Sequence, residues 1–128
     1  MTKSSLEILN LIAQVIYDKK GANILALDVR NLSSIADYLI IAEGNVDRHV
    51  SSIARAIIEE LRERGEKAVH VEGLQSGSWV VIDFNGIMVH LFMPGLREKY
   101  SLEKLWGDSR IVDLEIDVSK SAIGQSKS

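Results

Sequence analysis

Apolar positions recur along this chain with two periods, a helical one of three to four residues and a strand-like one of two. From residue 5 to about 20, Leu9, Ile12, Ala13 and Ile16 fall on one face of a helix, and Leu6 extends the stripe. Ser4 or Ser5 supplies the N-cap oxygen, Lys19 and Lys20 oppose the negative end of the macrodipole, and Gly21 stops the helix. Residues 23–29 (NILALDV) and 38–42 (YLIIA) are short, apolar and β-compatible, and the connection between them has room for a short helical turn. Asn45 then caps a second helix, with Asp47 acidic in its first turn. Val46, Val50, Ile53, Ala54, Ile57, Ile58 and Leu61 form its broad apolar stripe, and Gly65 ends it.

Residues 67–71 (KAVHV) read as a third strand. Residues 79–84 and 87–92 read as two more, joined by Asn85-Gly86. Asn-Gly between β-rich runs signals a type I′ hairpin, because both central residues must take positive φ. Pro94-Gly95 stops the last strand, and residues 97–106 (REKYSLEKLW) form a short helix ended by Gly107. Residues 111–118 (IVDLEIDV) are one further extended stretch, followed by SKSAIGQSKS, whose composition is that of a disordered tail. The order predicts the α/β class: a single mixed sheet of about five strands packed with helices. One domain over residues 1–112 and a C-terminal tail over 113–128 are expected.

A two-residue turn at Asn85-Gly86 sets the register of the hairpin. Phe84 faces Ile87, Asp83 faces Met88, Ile82 faces Val89, Val81 faces His90, Val80 faces Leu91 and Trp79 faces Phe92. Val80, Ile82, Phe84, Ile87, Val89 and Leu91 then share one wholly apolar face, which must be core. The other face holds Trp79, Val81, Asp83, Met88, His90 and Phe92. Either the second long helix covers it and Asp83 and His90 are satisfied locally, or part of it stays open as a surface for another protein. The same two readings apply to residues 97–106. So short a helix is not held by propensity alone, so Leu102 and Leu105 are chosen to pack inward. Tyr100 and Trp106, aromatics with polar handles, are candidates shared between fold and partner.

Composition narrows the function. The 128 residues are 46% hydrophobic and 26% charged, with no cysteine and a net charge of −3. Disulfide and thiolate chemistry are excluded, and no apolar run approaches the ~20 residues that span a bilayer. The first residues lack a signal-peptide layout, so a soluble cytoplasmic protein is expected. Binders of bare nucleic acid cluster positive charge; the longest basic run here is Lys19-Lys20, and specific nucleic-acid binding is not expected.

No catalytic constellation stands out. His49, His70 and His90 fall in different elements without metal-ligand spacing, and no serine sits in GxSxG. Phosphate-binding glycine motifs are missing. Asp28, Asp37 and Asp83 are single and scattered, whereas two-metal phosphoryl transfer needs carboxylates gathered around the ions. An Asp83–His90 pair across the hairpin is the one polar constellation the register allows. Neither cofactor nor metal is expected.

Four ordered blocks nevertheless form a pattern: DYLIIAEGNVDRHV, the EG at Glu72-Gly73, GSWVVIDFNGIMVHLFMP and REKYSLEKLWGD. Together, over roughly residues 5–108, they resemble the ribosomal silencing factor family, also called Iojap-related proteins. The family pattern is met at Asp37, Tyr38, Gly44, Asn45, Asp47 and Arg48. It is met again at Gly73, Gly77, Trp79, Asp83, His90, Phe92, Pro94, Arg97, Tyr100, Leu102, Glu103, Lys104, Leu105 and Trp106. Lys99 departs from a position usually aromatic, and Gly95 from one often acidic.

The resemblance implies a nucleotidyltransferase-like scaffold without its catalytic residues, and no enzyme activity. It implies binding to the large ribosomal subunit through its protein number fourteen, which keeps the small subunit from joining when nutrients are short. It also implies a homodimer off the ribosome. On it, Trp79, His90, Phe92, Pro94, Arg97, Tyr100, Leu102, Lys104 and Trp106 are the expected partner-binding residues. Asp37, Asn45 and Asp47 are assigned to turn and cap chemistry instead. The alternatives are a large-subunit maturation factor using the same surface and, further off, a nucleotidyltransferase-type enzyme.

Overall fold

The computed structural model describes residues 4–95 and 109–118. Helix α1 spans Ser5–Asp18, and Ser4 is its cap. The Ser4 hydroxyl accepts from the Glu7 N–H at 3.2 Å while the Glu7 carboxylate accepts from the Ser4 N–H, a capping box. Ile8, Leu9, Ile12, Ala13 and Ile16 face inward, but Leu6, expected in the stripe, is 50% exposed. At the other end the left-handed residue is Lys20 (φ 67), not the expected Gly21.

Strand β1 (Ala22–Asp28) pairs antiparallel with β2 (Tyr38–Glu43). A bulge between Ala22 and Leu25 places Asn23 at φ 53. Helix α2 (Asp47–Glu63) buries Val50, Ile53, Ala54, Ile57 and Leu61. Its start differs from expectation: Val46 occupies the cap position, makes no side-chain cap bond and is 50% exposed. The Asn45 backbone N–H instead donates to His49 Nδ1 at 2.8 Å. His49 Nε2–H in turn donates to the Lys19 carbonyl at 2.6 Å, so one imidazole ties the end of α1 to the start of α2. A Schellman motif ends α2: Gly65 N–H donates to the Arg62 carbonyl and Glu66 N–H to that of Leu61.

Strands β3 (His70–Glu72), β4 (Trp79–Asp83) and β5 (Ile87–Phe92) follow. The expected 67–71 strand is shorter and shifted. The β4–β5 register is the one read from the Asn-Gly turn, pair by pair from Trp79↔Phe92 to Asp83↔Met88. Asn85 and Gly86 both take positive φ, 60 and 109. A sixth strand, β6 (Arg110–Val112), pairs antiparallel with β1, giving the sheet order β3-β4-β5-β2-β1-β6. Among the described strands only β2 and β5 pair in parallel, with α2 in the connection between them.

Both long helices lie on one face of this mixed α/β sheet. Their inward residues form a single core with Ala26, Tyr38, Ile40, Ala42, Val80, Ile82, Phe84, Ile87, Val89 and Leu91. The apolar face read from the hairpin is therefore buried as expected, and each such large side chain contributes roughly 1.5–3 kcal/mol. The opposite face carries a second cluster: Leu27, Val29, Ala36, Leu39, Ile41 and Phe92, with Leu25, Trp79 and Met88 packed against it. The reading that α2 covers this second face is thus corrected; its stripe is spent on the first.

The expected domain end at residue 112 moves outward, because residues 113–118 run along α1. Glu115 N–H donates to Asn10 Oδ1 at 2.8 Å and Asp117 N–H to Gln14 Oε1 at 2.7 Å. Gln14 Nε2 returns a bond to the Asp117 carbonyl, while Leu114 and Ile116 pack against the core. Asn10 and Gln14 stand one helical turn apart and meet alternate amides of the extended strip.

Candidate docking site on the second face of the sheet

Trp79 opens β4, and the loop before it decides where the indole sits. Gly77 (φ 74) lies against α2 so closely that a Cβ would overlap the Asp47 carbonyl oxygen. Gly73 (φ 79) lies equally close to the Trp79 carbonyl. Ser51 of α2 donates its hydroxyl proton to the Leu74 carbonyl at 2.7 Å, and Gly77 N–H closes the loop on the Gly73 carbonyl at 2.9 Å. The two glycines of the family pattern are therefore needed for close approach to α2 and to β4.

On the second face Trp79 meets Phe92 directly across the hairpin, with ring centroids 5.1 Å apart and planes tilted by 36°. His90 lies diagonally, its ring 6.0 Å from the indole and 6.1 Å from Phe92. The Trp79 indole N–H donates to His90 Nδ1 at 3.1 Å. Burial drives the His90 pKa down to about 4, so the ring is neutral at neutral pH. With Nδ1 accepting, the ring proton sits on Nε2.

The Asp83–His90 pair that the register allows does not form. Asp83 instead accepts from the Asn85 N–H at 2.8 Å and supports the turn, while His90 is engaged by Trp79. Phe92 is fully buried, so it is corrected from partner contact to floor of the site. Trp79, Met88 and His90 are half-buried beside it, and Pro94 is exposed just beyond β5. Arg97, Tyr100, Leu102, Lys104 and Trp106 lie outside the described residues.

Just before β2 the backbone N–H groups of Asp37 and Tyr38 both donate to the Gly86 carbonyl. Asp47 accepts from the Arg48 N–H at 2.7 Å. Asn45 does not cap α2 with its side chain; its backbone N–H donates to His49 instead. Ser51 was not singled out by sequence reasoning; a lone serine on a helix carries no signal of the carbonyl it will meet across space. Among the described residues no three His, Asp or Glu side chains gather as metal ligands, and no helix is long and apolar enough to cross a membrane.

The fold of this mixed sheet with its two helices is similar to that of solved structures. A crystal structure of a Chromobacterium violaceum protein superimposes with a TM-score of 0.80 at 35% identity, covering 82% of this chain and 88% of that one. The chain belongs to the ribosomal silencing factors: the family model described as "Ribosomal silencing factor during starvation" matches residues 2–128. The Bacillus subtilis ribosomal silencing factor is 39% identical over 88% of this chain and 96% of its own length. More distantly, the mouse protein named for mitochondrial assembly of the ribosomal large subunit is 27% identical over 77% of this chain and 44% of its own.

Proposed function

We propose that this protein is a cytoplasmic translational repressor. It binds the large ribosomal subunit through protein number fourteen and keeps the small subunit from joining when nutrients are limiting. No catalysis is involved: a body of 14.2 kDa on the joining face excludes the small subunit by occupying its volume. Off the ribosome the chain pairs as a homodimer. The observation that carries this reading is the pairing of family membership with a half-buried Trp79–His90–Met88 cluster on the face that neither long helix covers. An aromatic anchor with an apolar floor is the composition of a protein-binding hot spot.

Co-sedimentation with purified large subunits tests it. Trp79→Ala is expected to weaken binding by about thirtyfold, the ~2 kcal/mol of an aromatic hot spot. A circular-dichroism melt checks that the fold is kept. Undiminished binding by a folded variant removes Trp79 from the contact, and failure of the wild-type chain to co-sediment refutes the reading as a whole.

A second reading, a large-subunit maturation factor, is supported by the name of the mouse relative. Depletion followed by gradient profiles separates the two. Precursor particles are expected of a maturation factor; joined ribosomes persisting in starved cells are expected of a lost repressor.

A further inference from the structure

Where α2 passes the 74–76 loop, the two leave an open groove of ≈ 340 Å³ lined by Asp47, Arg48, Ser51, Ser52, Arg55 and residues 74–76. Its charge is unusual for an acidic chain. Arg30, Arg62 and Arg64 are each bound to a carboxylate: Asp28, Glu59 and Glu60. Arg48 and Arg55, in the groove, have no side-chain partner among the described residues. The one carboxylate present, Asp47, turns an oxygen onto the Arg48 backbone N–H at 2.7 Å rather than onto a guanidinium.

The groove is preformed. The Ser51–Leu74 bond and the close packing of Gly77 on α2 hold its two walls together. Ser52, Gln75 and Ser76 add exposed hydroxyl and amide groups. The His49–Lys19 bond also brings the backbone of Lys19 to the N-terminal end of α2.

We propose that this groove takes the phosphate backbone of ribosomal RNA as a second, sequence-independent contact beside the protein-binding cluster. The inference rests on the large-subunit reading above. Arg48 and Arg55, without a side-chain partner among the described residues, stand seven residues apart on α2, about 10 Å of helix axis. That spacing along the helix lets each arginine take its own phosphate of a strand. The same loop carries Trp79 at its far end, so RNA in the groove and protein on the indole would be held by one rigid unit.

Binding of the full chain to purified large subunits across a salt series tests the proposal. The exposed pair is changed as Arg48→Gln with Arg55→Gln, which leaves the buried stripe of α2 untouched. Loss of two phosphate contacts is expected to make the slope of log K against log salt shallower by about 1.4–1.8. Affinity at low salt should fall about tenfold. An unchanged slope overturns the proposal.

A second measurement does not need the ribosome: amide shifts of the wild-type chain titrated with a short RNA duplex at low salt. Shifts confined to the first turns of α2 and the 74–77 loop, and lost in the double variant, support it. Shifts elsewhere, or shifts in the groove with isolated ribosomal protein number fourteen and none with RNA, overturn it in favour of a protein contact. Should the wild-type chain fail to bind the subunit at all, the repressor reading falls, while the duplex titration still decides the groove.

Discussion

Protonation of His90 should cost this protein much of its stability below neutral pH, and the amount follows from its surroundings. Burial lowers its pKa from 6.5 to about 4, so the folded state holds the ring neutral where the unfolded chain already binds a proton. Between those two values the unfolded state carries more protons, and stability falls as pH falls. The loss begins near pH 6.5 and flattens below about pH 4. Integrated, it comes to roughly 3 kcal/mol in full and about 2 kcal/mol by pH 5. The Trp79 indole N–H loses its acceptor in the same step.

Urea unfolding at several pH values measures this, with His90→Gln as the comparison, because every other titrating group is common to both proteins. The wild type should lose about 2 kcal/mol more than the variant between pH 7 and pH 5. Equal pH slopes in the two proteins would refute the assignment of His90 as a ring kept neutral by burial.

Two further outcomes follow from the packing. Ending the chain after Val112 removes the bonds of Glu115 and Asp117 to α1 together with the packing of Leu114 and Ile116. The truncated protein should lose about 2–4 kcal/mol in urea unfolding, whereas removal of a loose tail would leave the midpoint unchanged. Gly77→Ala puts a Cβ onto the Asp47 carbonyl at a positive φ. It should cost about 1–3 kcal/mol and alter the near-ultraviolet dichroism of Trp79; a spectrum and midpoint like those of wild type would show that the loop does not need that close approach.

The hairpin was legible because its determinants are local. Asn85-Gly86 allows a two-residue turn, that turn sets the register, and period two then sorts every side chain of β4 and β5 onto a face. The N-cap of α1 was legible for the same reason, since Ser4 and Glu7 satisfy each other within one turn. Asn45 misled because capping propensity competes with a tertiary bond: His49 reaches both the Asn45 N–H and the Lys19 carbonyl, and that second partner is 30 residues away.

The candidate site was legible only in part. Alternation put Trp79, His90 and Phe92 on one face, but it did not separate a buried ring from a half-buried one, and Phe92 proved to be floor. The indole–imidazole bond was not visible either, since register placed Asp83 and Trp79 equally within reach of His90 and only side-chain geometry chose between them.

By itself the sequence determined the two long helices, the Asn-Gly hairpin with its apolar face, and the family to which the chain is similar, because periodicity, turn chemistry and motif order are properties of neighbouring residues. Tertiary structure decided that both helices cover the same side of the sheet, that a sixth strand joins β1 beside a strip clipped to α1, and that Arg48 and Arg55 of α2 share a groove with the distant 74–76 loop. An apolar stripe states that a helix must be buried and is silent on what against. That choice depends on contacts between distant segments, whose energies exist only once the chain has closed on itself.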